Sequence, residues 1–172
     1  MTFRRVIPLF VALLLAFPAM AKDASINAFF GQWRGNALSE SDGSVYFQVT
    51  ARDLDVQVAG ADNGFTITWN TIQRQKGSTA DPTAVNKSTT KAFVSAGRPN
   101  LWRATDTVDP MQGVYAWANI RNNTLTIGDD GAFELQIYER TLTGEGMTLR
   151  FARHRDGEQV RTAKGRMVKI AR

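Results

Sequence analysis

The period of the apolar residues constrains this chain most: it is two almost everywhere, and nowhere 3.6 for longer than about two turns. Phe65, Ile67 and Trp69 alternate with threonine or asparagine, and Val45, Phe47 and Val49 alternate with Tyr46, Gln48 and Thr50. Phe133, Leu135 and Ile137 share one parity, as do Met147, Leu149 and Phe151. Turn chemistry separates these runs: Asp62-Asn63-Gly64, Gly97-Arg98-Pro99-Asn100, Arg121-Asn122-Asn123, Thr143-Gly144-Glu145-Gly146 and Arg155-Asp156-Gly157-Glu158. About nine or ten strands result, at the roughly 8–12-residue spacing of a sandwich or barrel. Two stretches interrupt the pattern. Residues 75–91, with Gly77-Ser78-Thr79-Ala80-Asp81-Pro82, read as a long loop with pairing resuming at Lys91, and Asp109-Pro110 marks a bend. Near the start, Ser25 is placed to cap a short helical turn ended by Gly31.

A meander of hairpins leaves two unpaired edges unless it closes on itself. The expected fold is therefore all-β: an antiparallel up-and-down barrel of about eight to ten strands behind a short helical turn.

Residues 1–21 read as a signal peptide. Arg4 and Arg5 precede an apolar run, and Ala19-Met20-Ala21 supplies a small-x-small cleavage site. The run falls short of the roughly 20 residues that span a bilayer, so residues 22–172 are expected as one periplasmic barrel domain without an integral membrane segment. No cysteine is present, which excludes a lipid-anchored lipoprotein, disulfides, thiolate chemistry and iron–sulfur sites. Without Arg4 and Arg5 the net charge falls from +5 to +3. The basic residues gather toward the carboxyl end, from Arg150 to Arg172, and read as solvated strand faces rather than a nucleic-acid surface.

Phe30-Gly31-Gln32-Trp33-Arg34-Gly35 resembles the G-x-W signature opening the first strand of lipocalin-like (calycin) barrels. The resemblance implies that a short helical turn precedes the motif and that Trp33 plugs the closed end of the barrel. It also implies that a basic side chain of the last strand, Arg166 or Arg161, covers the indole. Small bacterial inhibitors of secreted metalloproteases share such a barrel with an early tryptophan, although they normally carry a disulfide.

Catalytic material is sparse. His154 is the only histidine, so a serine triad would need it beside Ser39, Ser41, Ser44, Ser78, Ser88 or Ser95, none of them in a nucleophile elbow. Asp53 and Asp55 alternate on a strand and are expected to face solvent. Gly128-Asp129-Asp130-Gly131 lacks the ligand spacing of a calcium loop. No metal or other cofactor is expected. The aromatic residues offer a lining instead: Trp69, Tyr115, Trp117 and Phe133 for an apolar ligand, with Arg103, Gln73 and Asn119 to orient a polar head. The expected function is non-catalytic binding of a small apolar or amphipathic molecule of the lipid or isoprenoid class. The alternative is an envelope protein-interaction module or protease inhibitor on a packed barrel.

Overall fold

Short turns between runs of period two favour neighbour-to-neighbour pairing, and that pairing governs most of the architecture. The computed structural model describes residues 22–41, 48–74, 85–106, 115–131 and 133–171. After a 3₁₀ turn at Ile26–Phe29 come ten strands: β1 (Gly31–Ser41), β2 (Gln48–Ala61), β3 (Gly64–Arg74), β4 (Val85–Arg98) and β5 (Leu101–Ala104), then β6 (Tyr115–Arg121), β7 (Thr124–Gly131), β8 (Glu134–Thr143), β9 (Gly146–Arg155) and β10 (Glu158–Ala171). Each strand pairs antiparallel with its sequence neighbours, and β10 pairs back onto β1 to close the barrel. The expected all-β up-and-down barrel is the observed fold. Among the described residues no helix is long and apolar enough to cross a membrane.

Two glycines let the closing seam form. A Cβ on Gly35 would stand 1.8 Å from the Arg166 carbonyl oxygen, and one on Gly165 would stand 2.4 Å from that of Asn36. At the β9–β10 turn, Asp156 and Gly157 both take positive φ, 52° and 84°, as a tight primed hairpin turn requires.

Ser25 Oγ accepts a hydrogen bond from the Asn27 N–H at 3.3 Å and caps the 3₁₀ turn, which delivers Phe29 into one end of the barrel. The preceding residues strap across that end. Ala24 N–H donates to the Asn122 carbonyl at 2.6 Å, and Asp23 accepts from the Asn122 N–H at 2.6 Å and from Asn100 Nδ2 at 3.2 Å. Beneath the strap Phe65 stacks on Phe93 with centroids 5.0 Å apart and meets Trp102 edge-on at 5.5 Å.

The loop expected over residues 75–91 is shorter than the pattern suggested. β4 already begins at Val85, and Asn86 to Lys91 pair with β3 although their side chains are polar. The strand is hidden from a hydrophobicity reading because Lys87, Thr89 and Lys91 share the parity of buried Phe93 and so point inward. Residues 1–21, with the signal peptide, and residues 42–47, 75–84 and 107–114, with Phe47 and the Asp109-Pro110 bend, lie outside the described residues.

Candidate functional site

Strand parity divides the barrel interior into two halves. From the strapped end to mid-height the inward residues are large and apolar: Trp33, Val56, Val58, Phe65, Ile67, Phe93, Trp102, Ile120, Leu125, Ile127, Met147 and Met167 are all buried. Beyond mid-height the same strands turn polar on their inner face, and a cavity of about 310 Å³ opens there. One wall is apolar and aromatic: Ala37, Leu54, Val56, Trp69, Leu149, Phe151 and Ala163. The other carries Arg52, Lys87, Asp129, Gln136, Tyr138, Arg140, Arg153 and Arg161. Other hollows are open grooves on the outer wall, one of them bordered by exposed Leu38.

Much of the polar wall is tied down. Tyr138 Oη donates to Gln136 Oε1 at 2.9 Å, and Gln136 Nε2 donates to Glu134 Oε1 at 2.7 Å. Glu134 also accepts from Arg153 Nη2, and this hydrogen bond is the main reason its carboxyl sits below the usual glutamate range. Lys91 Nζ lies 3.2 Å from Asp129 Oδ2. Burial pushes the Tyr138 phenol above its ordinary value.

Arg140 sits where cavity and packed core meet, its side chain 1% exposed. Its guanidinium lies 5.4 Å from the ring centroids of both Trp69 and Tyr138. Its Nε and Nη1 atoms are buried with no hydrogen-bond partner. Burial holds its pKa well below the usual arginine range, down to about 10, which still leaves it charged at neutral pH. Arg52 Nε is likewise buried and unpartnered, and burial and then the charge of Arg161 lower its pKa.

The structure distributes the residues singled out from sequence unevenly. Trp69 lines the cavity. Tyr115 and Trp117 share a face, as expected, but it is the outer one: Ala116, Ala118 and Ile120 are the buried parity of β6. Phe65, Phe93 and Trp102 occupy the lumen in the packed half, and Ala104 on β5 and Ala116 and Ala118 on β6 present only methyl groups inward beside them. Trp117 finds its contact outside, on Gly128, where a Cβ would come within 2.3 Å of the indole. Phe133 is 78% exposed in the β7–β8 turn. Arg103 is exposed, opposite in parity to buried Trp102 and Ala104, and Asn119 shares the outer face of Trp117. Gln73 lies on β3, with its side chain outside the described residues.

Gly31 has φ of 123°, and Trp33 Nε1 donates to the Phe29 carbonyl at 2.8 Å. The cation over the indole is Lys169, at 5.1 Å, not Arg166 or Arg161. The seam register sets this: Trp33 pairs with Lys169, whereas Arg166 pairs with Asn36 on the outer face and Arg161 pairs with Ser41 toward the cavity mouth.

Among the described residues the catalytic candidates do not converge. Ser39 faces the lumen, where its Oγ donates to the Thr162 carbonyl at 3.1 Å, and His154 pairs with Leu135 on the outer wall. Asp55 meets Arg34 at 3.1 Å on the outside. Among the described residues no three histidine or carboxylate side chains gather to hold a metal ion.

The sequence pattern did not single out Arg140, Tyr138, Arg52, Gln136 or Arg153. A signal was present. The two-residue turn Gly144-Glu145 fixes the pairs Leu142 with Met147, Arg140 with Leu149 and Tyr138 with Phe151. Directly opposed residues share a face, so an inward Met147-Leu149-Phe151 set commits Arg140 and Tyr138 to the lumen.

No family model matches the chain, and no curated protein matches it. It is similar in structure to a protein of unknown function from the DUF3598 family of Nostoc punctiforme, with a TM-score of 0.57 and 12% identity. The match covers 86% of this chain and 50% of that one, so the chain spans about half the length of this neighbour. At that identity the likeness shows a shared barrel fold.

Proposed function

We propose that the protein is a periplasmic, non-catalytic carrier of lipocalin-like architecture that takes a small amphipathic molecule of the lipid or isoprenoid class into its lumen. The observation that carries this reading is the cavity of about 310 Å³, apolar and aromatic on one wall and polar on the other. The G-x-W arrangement supports the architecture, and the leader-like pattern of residues 1–21 supports export. Native mass spectrometry of the gently purified protein should show a bound species near one-to-one, released by organic extraction. A clean apo mass, with tryptophan fluorescence unchanged across a lipid panel, would overturn the reading.

A second reading, a protein-interaction module, is favoured by the outer wall of β6 to β9. Exposed Phe133 stands there near Leu135 and Ile137, beside a His154 whose buried Nδ1 lacks a partner, and exposed Tyr115 pairs with Asp130 at the edge of the same groove. Under this reading Phe133→Ser abolishes capture of an envelope protein and leaves lumen binding unchanged.

A further inference from the structure

Among the described residues the lumen holds more positive charge than its carboxylates neutralise. Asp129 is engaged by Lys91 and Glu134 by Arg153. Among the described residues Arg52, Arg140 and Arg161, which all line the cavity, are left without a carboxylate partner. Arg140 is the decisive member. A guanidinium removed from water needs acceptors for its N–H groups, and two of its buried nitrogens have none. The faces of Trp69 and Tyr138 attract its charge but leave its in-plane N–H donors unsatisfied. A fold selected for stability alone would put an apolar side chain at such a position.

We infer that the cavity takes a small organic anion, its acidic oxygens at the Arg140 guanidinium and its apolar body along Leu54, Val56 and Phe151. This inference rests on the lumen-binding reading above and narrows it to a ligand class. Carboxylates and phosphate monoesters share the required chemistry, since both present paired oxygens to the guanidinium fork. Arg52 and Arg161 lie on the same cavity and add their charge to it, and Trp69 beneath Arg140 makes occupancy visible in fluorescence.

The test keeps the tail constant and varies the head: octanoate, octyl phosphate, octanol and octyltrimethylammonium are titrated into the purified protein, with tryptophan fluorescence and calorimetry as readouts. One of the two anions should bind about tenfold or more tighter than octanol, as expected for charge-assisted hydrogen bonds in a buried site. Whichever anion wins identifies the headgroup. In Arg140→Met that advantage should vanish while octanol affinity persists and Tm stays equal or rises; Arg34→Gln, on the outer wall, should bind as the parent does. If Arg140→Met fails to fold, Arg52→Gln and Arg161→Gln replace it, each expected to weaken the anion selectively. Equal affinity for octanol and both anions overturns the anion inference and leaves the carrier reading standing. An Arg140→Met protein that melts lower yet keeps its anion preference does the same, by making Arg140 a structural brace. Binding of none of the four ligands sinks both.

Discussion

Where β1 begins, Phe65, Phe93 and Trp102 pack ring against ring beneath the strap, beside the 3₁₀ turn whose Phe29 carbonyl accepts from Trp33. Half a strand-length away the same sheet carries Arg52, Arg140, Arg153 and Arg161 around a cavity. The two halves share strands, register and alternation, so the backbone cannot account for the difference. What changes is the chemistry at the inward parity. On β3 it runs Phe65, Ile67, Trp69, Thr71, and on β8 it runs from Leu142 through Arg140 and Tyr138 to Gln136 and Glu134. The packed half removes apolar area from water and supplies stability. The polar half keeps buried charge that contributes little or nothing to stability, and the proposed lumen binding would put that charge to use.

The largest expected effect comes from moving one truncation between the halves. Phe65→Ala, at a fully buried ring stacked on Phe93, should cost about 3–5 kcal/mol, read as a fall in the urea midpoint with unchanged slope. Phe151→Ala, at a half-buried ring on the cavity wall, should cost less than half as much, because part of that ring borders a cavity and has no packed neighbour there to lose. Equal costs would mean that the lumen is packed throughout and that the two halves are energetically alike.

Arg140→Met should move stability the other way. Replacing an unpaired buried guanidinium by an apolar chain of similar reach removes a desolvation penalty, and related replacements stabilise by about 1–4 kcal/mol. A loss of stability would show that contact with Trp69 and Tyr138 outweighs the cost of burial, and with an unchanged anion preference it would make Arg140 a structural brace.

The seam and strap should respond more weakly than the aromatic core. Gly35→Ala forces a methyl against the Arg166 carbonyl and should cost about 1–3 kcal/mol. Trp33→Phe removes the hydrogen bond to the Phe29 carbonyl and part of the face beneath Lys169, for about 1–2 kcal/mol. Both are checked by thermal melts.

The packed half was legible in sequence and the cavity half was not, for a physical reason. Period two with apolar residues inward identifies a strand and its buried face together, as it does for Phe65-Ile67-Trp69. Near the mouth the rule inverts: Leu135 and Ile137 lie outside while Gln136 and Tyr138 face in. Hydrophobicity alone therefore assigns the wrong face to β8, hides the first half of β4, and promotes the outward aromatics Tyr115 and Trp117. Trp117 stands outside with its indole over Gly128 of the neighbouring strand, a contact that the local run on β6 does not reveal. The register implied by tight hairpins recovers the parity that hydrophobicity loses, and Arg140 could have been placed that way.

The smallest effect lies at the rim and depends on pH. The Glu134 carboxyl is held below its ordinary value by the hydrogen bond from Arg153, so folding favours its charged form. Its contribution is therefore complete above the ordinary glutamate value and is lost as pH falls through the lowered folded-state value. With both partners partly exposed, the pair should contribute about 1 kcal/mol or less. Urea midpoints of the parent and Glu134→Gln should differ by a constant amount near neutrality and converge in acid. A difference that persists in acid would show that the side chain acts through its hydrogen bonds with Gln136 and Arg153 rather than through its charge. The same variant also sharpens the contrast between the halves. Neutralising Glu134 frees Arg153 into an already cationic lumen, so Glu134→Gln should bind octyl phosphate more tightly than the parent at neutral pH while being slightly less stable. No substitution confined to the packed half, Phe65→Ala included, should raise affinity in this way.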